Sequence, residues 1–119
     1  MSRFHHRIRS AAQAELVAAA RADERGEADT SFRFLERAHV LGQSSTLLHV
    51  RVHWLMLRWA IRQHRKAEAA GQLLRIVSAA CKTAIGWVPR GNTGGANVSP
   101  LRRLPIPADL QQQLDHARR

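Results

Sequence analysis

Residues 46–63 read TLLHVRVHWLMLRWAIRQ, and the reading of this stretch decides the fold. Leu47, Val50, Trp54, Leu57 and Ile61 fall at i, i+3, i+7, i+10 and i+14, the spacing of an amphipathic helix with one apolar stripe. Ser44 or Ser45 stands in front of it as an N-cap. Working outward, residues 7–23 are alanine-rich, with Ile8, Ala11, Ala12, Glu15, Leu16 and Ala19 on one helical face. The run DERGEAD at 23–29 reads as a polar turn. Asp29, Thr30 or Ser31 is placed to cap a second helix of about 30–41, in which Phe32, Leu35 and His39 stack. Gly42 suits the left-handed position that ends it. A fourth helix, about 66–83, is expected to bury Ala70, Leu73, Leu74, Val77, Ala80, Cys81 and Ala84.

The helical period then stops. Residues 86–107 are rich in glycine and proline and carry no period. Each residue before a proline is pushed towards extended backbone, so Leu104-Pro105-Ile106-Pro107 should be extended. Pro107 suits the first position of a short last helix, about 108–116. No run alternates as a strand does. The expectation is an all-α fold in one domain, 1–119. It has a helical core over 7–85, an irregular wrapping segment over 86–107 and a short closing helix. Helices joined by short turns make two antiparallel helical hairpins, set side by side in the manner of tetratricopeptide repeats.

The chain has 119 residues, which is room for one compact domain. Hydrophobic residues at 45% and charged residues at 24% are a globular balance and exclude a wholly disordered chain. Cys81 is the only cysteine, which excludes an internal disulfide, a cysteine-rich zinc finger and an iron–sulfur cluster. No stretch approaches the roughly 20 apolar residues of a membrane span. A cytoplasmic location is the simplest expectation, and a free thiol is compatible with it.

Seven histidines are the compositional feature most able to carry chemistry. Glu36 and His39 are separated by one helical turn, as are His49 and His53. At 100° per residue His49, His53 and Met56 fall within about 60° of one another, and His64 points near the same direction. This sector adjoins the apolar stripe, so the imidazoles are expected at the edge of the core. The short connection at 42–45 makes helices 2 and 3 antiparallel neighbours and brings His39 towards His49 and His53. Glu36 lies one turn away, and Glu15 has an apolar-side position on helix 1. Imidazoles with one or two carboxylates form a ligand set for Zn²⁺, Co²⁺, Ni²⁺ or Fe²⁺. A buried polar network, with His39 bonded to a carboxylate such as Glu36, is the competing account. No catalytic motif is present: there is neither His-Glu-x-x-His nor Gly-x-Ser-x-Gly, and no reaction is named.

Arginine supplies 17 of the 19 basic residues. Arg51, Arg58, Arg62 and Arg65 line the polar side of helix 3, and Lys66 and Arg75 extend the charge. Residues 49–119 hold 12 basic and 3 acidic side chains, whereas residues 1–48 hold 7 and 6. Such a face can select an acidic protein partner, steer anionic lipid or bind nucleic acid non-specifically, with Trp54, Trp59 and Trp87 as stacking surfaces. The loop GNTGGAN at 91–97, beside Arg90, could cradle an anion through its amides.

The blocks LERAHVLGQ (35–43), HVRVHW (49–54), VPRGNTGGANVS (88–99) and PIP (105–107) resemble a family of small bacterial proteins of unknown function. The resemblance covers nearly the whole chain. It implies a bacterial, mostly helical, single-domain protein, and an association with gene clusters for metal-cation efflux. Glu36, His39, His49 and His53 lie inside those blocks. The leading expectation is therefore a small protein that binds a divalent transition metal between helices 2 and 3, in metal homeostasis or resistance. A helical-repeat adaptor with a basic face is the alternative, and non-specific nucleic-acid binding the third.

Overall fold

The computed structural model describes residues 3–84 and 104–119. The described residues are all helical, with no strand: α1 (Arg3–Glu24), α2 (Ala28–Gly42), α3 (Thr46–Arg62), α4 (Lys66–Ala84) and α5 (Ala108–Arg118). Each expected helix is present. Arg90 and the glycine loop lie outside the described residues. Three-residue turns reverse the chain between successive helices of α1–α4, so each packs on the next, while α5 returns to α1 and α2.

The turns show how sequence makes these reversals. After α1, Gly26 takes φ 75°, and its own and the following amide bond back to Asp23 and Ala22 at 3.0 and 2.9 Å. This is the 5→2 and 6→1 pattern of a Schellman end, and glycine fits the left-handed position without a Cβ penalty. The α3–α4 turn repeats the pattern with His64 at φ 55°, and Arg65 N–H bonds to the Ala60 carbonyl at 2.8 Å. Ser45 caps α3 through Leu48 N–H, as expected.

Two local expectations are corrected. Gly42 is the last residue of α2 and is followed by right-handed backbone, so it is not a left-handed terminator. Its task is close approach, because a Cβ there would stand 3.1 Å from the Leu48 Cβ on α3. Nor do Asp29, Thr30 or Ser31 cap α2, whose N-cap position is Glu27. Ser31 is buried inside α2, and its hydroxyl donates to the Ala19 carbonyl of α1 at 2.8 Å.

The core has two apolar parts. Ile8, Ala12, Val40, Leu41, Leu48, Leu110 and Leu114 join α1, the α2–α3 corner and α5. Leu16, Ala19, Leu35, Ala38, Val52, Met56 and Trp59 join α1, α2 and α3. Alanines on α1 let α2 approach it closely. Trp59 is anchored by its indole N–H on the Ala28 carbonyl at 2.8 Å and by the Phe32 ring at 4.4 Å.

The expected apolar stripe of α3 is largely overturned. Leu47, Trp54 and Ile61 are exposed, and Leu57 alone of that set is buried. The buried side is Leu48, His49, Val52, His53, Met56, Trp59 and Ala60. Helix α3 is apolar around most of its circumference, so periodicity alone offered two faces. Burial went to the face that interlocks with α2. The same reversal affects α4: Leu73, Leu74 and Val77 face outward, Ala70 is exposed, and Gln72 and Arg75 are buried. Arg75 is therefore no part of a basic surface. The side chains of Ala80, Cys81 and Ala84 lie outside the described residues.

An ionic clasp joins three helices. Arg37 on α2 donates through Nε and Nη2 to both Glu15 oxygens on α1 at 3.0 Å, and through Nη2 to Asp109 of α5 at 2.5 Å. Arg7 adds a bond to the His116 carbonyl at the end of α5. The hydrogen bond from Arg37 holds the Asp109 carboxyl below its ordinary value. Because Glu15 would remain buried without its partner, Arg37→Ala should lower stability by about 2 kcal/mol in urea denaturation. A carboxyl depressed in the folded state stabilises above its unfolded pKa, about 3.9, and that gain is lost as pH falls through the folded value. The loss of stability below about pH 4 should therefore be smaller in Arg37→Ala than in the parent chain. At the α3–α4 turn, His64→Gly should raise the thermal midpoint, adding about 0.5 kcal/mol by relieving left-handed backbone at a residue with a Cβ.

Candidate metal centre

The site grows from helical spacing. On α3, His49 and His53 are one turn apart on the buried side, and the close approach of α2 at Gly42 delivers His39 between them. The three imidazoles are 2%, 6% and 2% exposed for His39, His49 and His53, so they sit in the interior and not at the core edge. His39 Nε2 lies 2.9 Å from His49 Nε2 and 3.1 Å from His53 Nε2. Ring centroids are 4.6 to 4.9 Å apart. One ligand nitrogen from each ring falls within 4.8 Å of the others.

These three nitrogens cannot all present bare lone pairs to one another. A neutral imidazole has one N–H and one acceptor nitrogen. His53 Nδ1 is 2.6 Å from Gln72 Oε1, an acceptor, so His53 carries its hydrogen on Nδ1 and keeps Nε2 bare towards the centre. A hydrogen on His39 Nε2 then satisfies the neighbouring acceptors. One hydrogen thus occupies the point where three nitrogens converge. A metal ion bound at about 2.1 Å by three nitrogens in tetrahedral directions sets them about 3.4 Å apart. The His39–His49 and His39–His53 separations need to open by only a few tenths of an ångström, and the His49 and His53 ligand nitrogens lie within 4.8 Å of each other.

Gln72 was missed by sequence reading. A single glutamine on a helix carries no periodic signal, and α4 had been expected to bury its opposite face. In the fold Gln72 is fully buried, with Ala69 packed on the same side. Arg75, one turn further along, is 6% exposed and donates to the Gly71 carbonyl at 3.4 Å, and burial pushes its guanidinium down from its ordinary value.

The converging group is made of the three imidazoles and contains neither carboxylate. Glu15 is turned to Arg37. Glu36 is half-buried and lines a cleft of about 760 Å³ with Phe32, Arg33, Trp59, Arg65 and Glu68. His64 is held in the exposed α3–α4 turn. Of the arginine set, Arg51 and Arg58 are exposed, Arg62 pairs with Asp23 at 3.3 Å, and Arg65 pairs with Asp29 at 3.7 Å while lying over the Trp59 ring at 5.6 Å.

Replacing Gln72 by leucine keeps the volume and removes the acceptor for His53 Nδ1. The expected cost is about 1–2 kcal/mol of folding free energy, measurable by chemical denaturation, with helicity unchanged.

No curated protein and no solved structure matches this chain. A family model does match it over residues 6–114, nearly its full length. The chain with this buried tris-imidazole centre belongs to the protein family of unknown function DUF3703.

Proposed function

We propose that the protein binds one divalent transition-metal ion through the Nε2 atoms of His39, His49 and His53. The observation that carries this reading is the convergence of three buried imidazole nitrogens on one point, with His53 held by Gln72 in the tautomer a ligand needs. The donors are all nitrogen. That suits Zn²⁺ first, with Co²⁺, Ni²⁺ and Fe²⁺ as competitors, and disfavours Mg²⁺ and Ca²⁺, which take oxygen ligands. Three protein ligands leave a fourth position for water or for a donor from another molecule. The converging group contains no carboxylate to act as a general base, and the rings are nearly inaccessible. Holding the ion, in buffering, sensing or handing it over for metal homeostasis, therefore fits better than turnover of a substrate. Glu36, one turn from His39, is a candidate outer contact, whereas Glu15 is committed to the clasp.

Protein purified without a histidine tag should take up Zn²⁺ or Co²⁺ at about one per chain, measured by elemental analysis after gel filtration. Bound ion should raise the thermal midpoint with concentration, as any ligand of the folded state does. His49→Ala with His53→Ala should abolish uptake. Gln72→Ala should weaken it by about 10–100-fold, because an unsupported imidazole loses orientation. A folded protein with no affinity for any of these ions would end the proposal, and so would uptake unchanged in the double variant.

A further inference from the structure

The centre uses the inner side of α3, and the outer side carries a second pattern. Leu47, Arg51, Trp54, Arg58 and Ile61 recur at i, i+4, i+7, i+11 and i+14 and share a stripe about 80° wide and about 21 Å long. All five are exposed, with Leu47 at 80%, Trp54 at 52% and Ile61 at 59% of full exposure. On the adjacent helix α4, Leu73, Leu74 and Val77 are exposed at 57%, 66% and 66%. Large apolar side chains recurring along one exposed helix face, as on α3, mark an interaction surface. The charge is one-sided too, since α3 contains no acidic residue. Among the described residues Arg51 and Arg58 form no ion pair, whereas Arg62 and Arg65 are drawn to Asp23 and Asp29.

The occupant must satisfy both chemistries. A nucleic-acid backbone would engage the arginines but leave Leu47 and Ile61 in water. A partner helix seats its apolar face in a groove, whereas these side chains stand out from the surface. An anionic lipid surface accepts arginines at its headgroups, an indole at the interface and aliphatic side chains at the acyl boundary. We propose that the outer face of α3 docks on a negatively charged lipid surface, with Leu47, Trp54 and Ile61 inserted and Arg51 and Arg58 at the headgroups. Among the described residues no helix is long and apolar enough to cross a membrane, so the attachment is peripheral. This inference is independent of the metal centre, which lies on the opposite side of α3.

The test is co-sedimentation of the full chain with phosphatidylcholine vesicles, with and without phosphatidylglycerol. Binding is expected only with phosphatidylglycerol and should fall as salt rises. Arg51→Glu with Arg58→Glu should weaken it about tenfold or more, and Leu47→Ser with Ile61→Ser should do the same at equal charge. These positions are exposed, so folding should be retained, as checked by circular dichroism. Brominated acyl chains should quench tryptophan fluorescence in the parent chain and much less in Trp54→Phe. Absence of binding to anionic vesicles at low salt overturns the proposal. Quenching unchanged in Trp54→Phe overturns it as well, because another tryptophan would then be the inserted one. Saturable binding of polyglutamate or an oligonucleotide in place of vesicles assigns the face to an acidic polypeptide or to nucleic acid and also overturns it.

Discussion

Three imidazoles buried against one another constrain this fold more tightly than any apolar contact does. A leucine side chain tolerates sliding along its neighbour, but a buried ring nitrogen must find a partner within about 3 Å or lose the hydrogen bond outright. His39 meets two such partners at once, so α2 and α3 have a single workable register. Gly42 favours that register, since a Cβ there would stand 3.1 Å from the Leu48 Cβ and push the two helices apart by a few tenths of an ångström. Gln72 extends the constraint to α4 and fixes which side of that helix turns inward.

The rest of the structure follows from these choices. With Gln72 and Arg75 inward, the leucines of α4 are left outside. With His49 and His53 inward, Leu47, Trp54 and Ile61 of α3 are left outside too. One polar requirement at the centre thus produces both the buried site and the apolar outer face, and the two proposed activities are opposite sides of the same helix. The second ionic feature has a different task. Arg37 ties α1, α2 and α5 together around Glu15 and closes the end of the fold remote from α4.

The centre has the traits of a held ion and of a proton-sharing network alike, because both need convergent nitrogens and an oriented ring. Both rest on the ring that Gln72 orients at His53. The Gln72 oxygen leaves the His53 inner nitrogen bare, which is the state a metal requires and a state that a proton between the rings also exploits.

Helix number, helix type and the turns were legible in the sequence because they are local. Periodicity, the Ser45 cap, the polar turn at 23–29 and the proline before α5 each act within a few residues. The pairing of His49 with His53 was legible for the same reason, and the short 42–45 connection pointed to His39. The orientation of α3 and α4 about their own axes was decided only in three dimensions. Both helices are apolar on more than one side, and the face buried is the one whose shape and hydrogen bonds a neighbouring helix can complete. Glu15 illustrates the same limit: its helical position allowed either the imidazoles or Arg37 as partner, and only the packing of α1 on α2 chose the guanidinium. Local sequence sets which elements form, whereas burial of polar groups is a pairwise condition that no single segment can satisfy alone.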